Sequence, residues 1–97
     1  MPTYITLLQY TQQGIEKIKD SPTRLEAAKR SVREMGGELK AFYLVMGQYD
    51  AVVISEAPDD ETATRFALAT AARGYVRTQT LRAYPEVEYK KIIASLP

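Results

Sequence analysis

Hydrophobic positions along the chain change from alternating to helical spacing and back, which predicts strand, broken helix, two strands, helix, strand and tail. Residues 4–10 are rich in aromatic and branched side chains and lack Gly and Pro, as is typical of a strand. A helical segment over residues 11–20 is interrupted at Ser21-Pro22, because proline disfavours a helical residue before it but suits the first turn of a new helix. The new helix stops at Gly36-Gly37. Its apolar face consists of Leu25, Ala28, Val32 and Met35.

Two β-rich runs, residues 38–46 and 49–56, are separated by Gly47-Gln48. A glycine at the first position of a two-residue loop is typical of a type II′ turn, so the runs are predicted to pair as an antiparallel hairpin. Three acidic residues then open the next helix, where Asp59 is predicted to be the N-cap. The residues of this helix that are expected to face the core are Ala63, Phe66, Ala67 and Thr70.

A fourth strand is predicted at residues 75–84, directly after Gly74. The remaining residues carry an apolar stripe at helical spacing, which predicts a short C-terminal helix or tail that docks on the rest of the chain. The stripe consists of Tyr89, Ile92, Ile93 and Leu96. This order of elements is that of the ferredoxin-like βαββαβ unit, an α+β fold with a four-stranded antiparallel sheet. No linker interrupts it, so residues 1–97 are predicted to form a single domain.

Both faces of the predicted sheet are apolar, although in this topology the helices cover only one of them. In the second strand Phe42 and Leu44 alternate with Tyr43 and Val45, so neither face is polar. The third-strand residues with the same pattern are Ala51, Val52, Val53 and Ile54. An exposed apolar patch of roughly several hundred Å² is typical of an interface, which predicts a homodimer or higher homo-oligomer assembled through the sheet. The alternative is that the C-terminal stripe covers the open face within one chain.

Composition narrows the chemistry that the domain can perform. The chain has no Cys and no His, which excludes disulfides, thiol nucleophiles and the usual ligands of transition metals and haem, so no metal or cofactor is expected. Thirteen Lys and Arg against twelve Asp and Glu leave a net charge of +1 without a basic stripe, so no nucleic-acid partner is expected. The longest apolar stretch, residues 41–46, is far shorter than the roughly 20 residues that span a bilayer, and the first residues do not form a signal peptide. The expected location is cytoplasmic, away from membranes.

Several segments of the chain resemble the signature segments of the GYD-domain family. These segments are Thr11–Ile15, Ser21–Arg24, Gly47–Asp50, Glu56–Asp60 and Arg77–Ala83. The resemblance implies a dimeric α/β-barrel fold, but it implies no reaction, because the family's name describes only its Gly-x-Tyr-Asp segment. The chain is also weakly similar to the effector-binding domain of leucine-responsive (feast/famine) regulators, which binds small metabolites between dimers. That similarity implies at most a stand-alone sensor, since the chain has no room for a DNA-binding helix-turn-helix.

The hairpin turn carries the first candidate site, Tyr49 and Asp50. Here a carboxylate can orient a phenol or accept a proton at the rim of a pocket. The structural alternative is that Tyr49 packs across the hairpin while Asp50 bonds to turn backbone or to an arginine, and neighbouring strand residues point to opposite faces. Tyr10 is a further candidate, because a tyrosine can lie half-buried with its hydroxyl in contact with water or ligand.

The broken first helix carries the second candidate site, Thr11 and Arg24. An interrupted helix exposes amide groups that can hold an anion, and the Arg24 guanidinium supplies a matching charge. The alternative is an ordinary surface arginine paired with Asp20 or Glu26. On the fourth strand, Arg82 belongs to a polar face that lines either a wet dimer seam or a cavity. That face consists of Thr78, Thr80, Arg82 and Tyr84.

A binding module for a small organic or anionic ligand is the function that these features favour. The enzymatic alternative is a cofactor-independent oxygenase or isomerase, by analogy with other dimeric α/β-barrel families. Its proton transfer would fall to Tyr10, Tyr49, Asp50 or Glu56. The third possibility is a structural or assembly protein without a ligand.

Overall fold

The four predicted strands are present, and their bounds are Thr3–Tyr10 for β1, Glu38–Leu44 for β2, Ala51–Glu56 for β3 and Val76–Ala83 for β4. They form one antiparallel sheet in the order β2-β3-β1-β4. The computed structural model describes all residues from Met1 to Pro97. The order of strands and helices confirms the predicted α+β, ferredoxin-like βαββαβ fold.

The helices begin and end where local chemistry dictates. Their bounds are Gln12–Glu16 for α1, Ser21–Glu34 for α2, Asp60–Ala72 for α3 and Glu86–Ala94 for α4, with a 3-10 turn at Ile18–Asp20. The predicted interruption is confirmed, because a new helix starts at Ser21 with Pro22 in its first turn. Gly36 and Gly74 follow α2 and α3 with φ of +87° and +86°, the left-handed conformation that stops a helix.

The predicted cap of α3 is also confirmed. Asp59 has extended backbone, and its Oδ1 accepts a hydrogen bond from the Thr62 amide at 2.8 Å. This bond stabilises the ionised carboxylate, so the pKa of Asp59 lies below its ordinary value. The acidic start of α3 therefore has a structural role at the positive end of the helix.

The predicted two-residue turn between β2 and β3 is wrong, although the hairpin itself is confirmed. Leu44 pairs with Ala51, and the Val45 amide donates to the Asp50 carbonyl at 2.9 Å, which leaves a four-residue loop at 46–49. Gly47 does adopt a positive φ, +117°. The loop is longer because Asp50 is bonded to β1, where its amide donates to the Leu8 carbonyl at 2.7 Å. Leu8 is distant from Asp50 in the sequence, so the pattern of residues at the turn does not reveal this bond.

Strand register assigns every strand side chain to one of two faces. On β1, Tyr4, Thr6, Leu8 and Tyr10 point towards α2 and α3, while Ile5 and Leu7 point away from them. Ile5 lies opposite Ile54 and Leu81, and Leu7 lies opposite Val52. We call the side away from the helices the open face. Its apolar residues are Ile5, Leu7, Ala41, Tyr43, Val52, Ile54 and Leu81.

The core of the single chain is thin. Only 6 of the 97 residues are buried, and none of the open-face side chains is among them. No residue of α4 is buried either, and its apolar stripe is exposed in this chain. The exposed large apolar side chains include Tyr43 and Leu81 of the open face and those of the C-terminal stripe.

Candidate functional site

A cavity of ≈ 130 Å³ lies between the sheet and the two long helices, α2 and α3. The predicted core faces of both helices line it, together with the helix-side residues of the sheet. The predicted polar face of β4 contributes Thr78 and Thr80, so these threonines lie at the cavity. An engineered protein cavity of about 150 Å³ is large enough to bind benzene. The space here is of similar size, so it can hold the apolar part of a small organic molecule.

One end of this cavity carries polar side chains from three different parts of the chain. Tyr10 ends β1, Ser21 and Arg24 lie on the first turn of α2, and Tyr75 precedes β4. The Tyr10 hydroxyl and Ser21 Oγ are 3.2 Å apart and share a hydrogen bond. The Arg24 guanidinium lies over the Tyr75 ring, 4.3 Å from its centroid. We call these four residues the Arg24 cluster.

One nitrogen of the Arg24 guanidinium has no hydrogen-bond partner. Its Nη1 donates to the Lys17 carbonyl at 3.0 Å, but its Nη2 is buried and has no hydrogen-bond partner. None of the four ion pairs in the structure includes Arg24. The surface pairing considered from the sequence does not occur, because Glu26 pairs with Lys29 at 3.4 Å instead. A buried guanidinium nitrogen without an acceptor is energetically costly, which makes it a strong candidate to bind an anion.

Thr11 and Gly14 contact the backbone at Gly74 and Tyr75, the segment that carries the ring beneath Arg24. Thr11 Oγ1 donates to the Gly74 carbonyl at 2.5 Å, and the Thr11 amide donates to the Tyr75 carbonyl at 3.1 Å. The Gly14 amide donates to Thr11 Oγ1 at 3.1 Å, so α1 is capped by the same side chain. A Cβ on Gly14 would lie 2.0 Å from the Tyr75 carbonyl oxygen. Thr11 therefore positions the site without lining the cavity.

The other predicted site residues lie outside the Arg24 cluster. Asp50 Oδ2 accepts a hydrogen bond from the Tyr10 amide at 2.8 Å, so this carboxylate joins the hairpin to the end of β1. The Tyr49 hydroxyl donates to Gln79 Oε1 at 2.7 Å, away from the cavity lining. The two side chains therefore do not meet in one pocket.

Arg82 lies at the other end of β4. Its guanidinium is 4.3 Å from the centroid of the Tyr84 ring, and its Nη2 is 3.8 Å from Glu88 Oε1 on α4. Of the six residues predicted at a ligand, the cavity brings together only Tyr10 and Arg24.

Ser21 and Tyr75 were not among the predicted site residues. The signal for Ser21 is its spacing of three residues from Arg24, which places both on one side of a helix. The contact of Tyr75 with Arg24 joins residues that are distant in sequence, and no local pattern indicates it.

Tyr4 is a buried polar residue that no sequence pattern singles out. It is 3% exposed, and its hydroxyl donates to Asp60 Oδ1 on α3 at 2.5 Å. Burial, followed by the hydrogen bond to Asp60 and the charge of that carboxylate, raises the pKa of Tyr4 to about 12. This bond connects the central strand to the start of α3.

Replacing Tyr4 by Phe should make the protein less stable at pH 8, by roughly 1.5–3 kcal/mol, because a hydrogen bond to a charged group is lost. Since the folded-state pKa is raised, the stabilisation is complete below the unfolded value near 10 and is lost as pH rises towards 12. The difference in melting temperature between wild type and variant should therefore narrow from pH 10 to pH 12. A difference in melting temperature that stayed constant from pH 10 to pH 12 would contradict the raised pKa of Tyr4. Circular dichroism melts at several pH values measure it.

No group of three or more His, Cys, Asp or Glu side chains is arranged to hold a metal ion. No helix is both long and apolar enough to cross a membrane. The charged residues in the cavity lining are Arg24, Arg73 and Glu56, and its other polar groups are hydroxyl and peptide groups.

These features define a ferredoxin-like domain with a cavity between its sheet and its helices. The chain belongs to the GYD domain family, whose model matches residues 4–93, and the resemblance found in the sequence is thereby confirmed. One relative is the glutamine synthetase and cystathionine beta-lyase binding protein of Thermus thermophilus, which is 40% identical over 86 residues, 88% of this chain and 90% of that protein.

Two crystal structures are similar to this chain in fold. TTHA0845 from Thermus thermophilus is 25% identical, with a TM-score of 0.53 over 89% of this chain and 100% of that chain. The hypothetical protein PHS023 from Pyrococcus horikoshii is 20% identical, with a TM-score of 0.55 over 89% of this chain and 93% of that chain.

Proposed function

We propose that this protein is a homodimeric binding protein whose cavity holds one small organic ligand. The observation that carries the proposal is the cavity of ≈ 130 Å³ with the partnerless Arg24 Nη2 atom in a side chain that lines it. Binding sites are typically apolar concavities with a few polar groups that orient the ligand. The Arg24 cluster supplies such groups at one end of this cavity.

The open face supports the proposal that the protein forms a dimer. Its apolar residues lie on the two central strands as well as on both edges, none of them is buried, and α2 and α3 lie on the other side of the sheet. A second copy of the chain would bury these side chains by presenting the same surface, as in a two-fold interface. The thin core of the single chain makes this burial a substantial part of the stability.

A panel of small organic acids and neutral aromatic compounds tests ligand binding by melting temperature. A ligand at roughly 100 times its dissociation constant should add about 2.7 kcal/mol of stability, or at least about 10 °C for a domain of this size. Ala67→Leu should abolish the shift, because Ala67 lines the cavity and a larger side chain fills it. Ala72→Leu is the matched control on the exposed side of α3 and should leave the shift unchanged. An unchanged melting temperature across the panel would contradict the proposal.

Binding of another protein is the second candidate function. The relative that is named for binding two metabolic enzymes supports it, as does the tip of the β2–β3 hairpin, where Leu44 is 71% and Met46 is 99% exposed. Apolar side chains so exposed on a hairpin suit a protein partner. Purified glutamine synthetase and cystathionine beta-lyase are the partners to test in a direct binding measurement.

A further inference from the structure

We infer, on the basis of the proposed function, that the ligand is a small organic acid whose carboxylate binds Arg24 and whose apolar body fills the cavity. The guanidinium of Arg24 is the group that favours a carboxylate. This guanidinium has one nitrogen bonded to the Lys17 carbonyl and another that is buried without an acceptor. A carboxylate offers two planar oxygen acceptors, the geometry that a guanidinium binds best.

Hydroxyl groups next to Arg24 supply a second hydrogen-bond donor for the carboxylate. Ser21 lies one helical turn before Arg24, and its Oγ shares a hydrogen bond with the Tyr10 hydroxyl. In that pair one hydroxyl donates and the other accepts, and the accepting group keeps a proton for a further bond. The Arg24 cluster can therefore offer a carboxylate both a charged donor and a neutral one.

The charges around the cavity favour an anion at this end. Arg73 also lines the cavity, and Glu56 is the only acidic residue in its lining, although strand alternation points the Glu56 side chain towards the open face. Glu56 lies opposite Thr3, whereas Tyr10 is at the other end of β1. Seven residue-to-residue steps along the strand separate Thr3 from Tyr10, which amounts to roughly 23 Å. The one acidic residue in the cavity lining is therefore far from the Arg24 cluster, and the nearer Asp50 carboxylate is bonded to the Tyr10 amide and does not line the cavity.

The remainder of the cavity suits the apolar part of such an acid. Its walls next to the sheet and the helices are largely hydrophobic, and they include Leu25, Ala28, Val53 and Phe66. The volume of ≈ 130 Å³ is close to the roughly 150 Å³ that accommodates benzene in an engineered cavity. The fitting class is therefore small aromatic and branched short-chain carboxylic acids whose apolar part is no larger than a benzene ring, as in benzoate.

Titration calorimetry with benzoate, and with benzamide as its uncharged analogue, tests this inference. The wild type should bind benzoate roughly tenfold or more tightly than benzamide, because only the carboxylate forms the charged hydrogen bond. Arg24→Met should remove this preference, because it should weaken the binding of benzoate much more than that of benzamide, whose carbonyl is only a neutral acceptor. Arg30→Met, an exposed arginine on the same helix, is the matched control and should behave as wild type.

The possible outcomes separate the two proposals. Equal binding of benzoate and benzamide, or a preference that survives Arg24→Met, would overturn the inference and leave the proposed cavity function intact. Binding of neither compound, together with an unresponsive ligand panel, would overturn both. If Arg24→Met does not fold, as judged by circular dichroism, the preference of the wild type for benzoate over benzamide still decides the inference.

Discussion

Replacing Leu7 by Asp should convert the proposed dimer into a monomer. Leu7 lies on β1, an inner strand of the sheet, and its side chain is on the open face opposite Val52. A carboxylate there would have to be buried without a partner when two sheets meet, at a cost of several kcal/mol in each chain. Light scattering should report a mass of twice 10.9 kDa for the wild type and 10.9 kDa for the variant.

Leu68→Asp is the matched control for this substitution. It makes the same chemical change on α3, where Leu68 is 66% exposed and does not line the cavity. The control should remain a dimer. A wild type that is monomeric at micromolar concentration, or a Leu7→Asp variant that stays dimeric, would show that the open face is not the interface.

Replacing Gly14 by Ala should destabilise the protein by about 1–3 kcal/mol, although alanine usually stabilises a helix relative to glycine. The added Cβ would lie 2.0 Å from the Tyr75 carbonyl oxygen, so α1 and the start of β4 must move apart. The melting temperature should fall by about 4–8 °C for each kcal/mol. Because Tyr75 stacks against Arg24, the variant should also bind benzoate more weakly.

Gln12→Ala is the control for this second prediction, since Gln12 is exposed on the same short helix. It should melt within about 2 °C of the wild type, because surface substitutions away from special features have small effects. A Gly14→Ala variant as stable as Gln12→Ala would mean that the contact between α1 and Tyr75 does not constrain the fold.

The features of the fold that follow from local chemistry were predictable. The break before α2 follows from Pro22, the start of α3 follows from Asp59, and the faces of the strands follow from alternation. The length of the hairpin loop was not predictable, because Asp50 is held by β1 some forty residues earlier. The Tyr4 to Asp60 bond, across 56 residues, was hidden for the same reason.

The candidate site was predictable only in part. Arg24 was predictable as a site residue because it follows the interruption of the first helix, which Pro22 marks in the sequence. Whether that arginine is paired depends on which carboxylates come close in the fold, and a sequence pattern does not determine this. Tyr49 and Arg82 are chemically suitable residues that the topology places elsewhere.

A methyl NMR titration of the labelled protein with toluene and with benzoate tests the central claim most directly. If the cavity is the binding site, the methyl signals of residues that line it should shift, and those of the open face should not. The cavity methyls to follow are those of Leu25, Val32, Leu39 and Val53. The open-face methyls are those of Leu7, Val52 and Ile54. Shifts confined to the open face, or no shifts with either compound, would contradict a small-ligand site between the sheet and its helices.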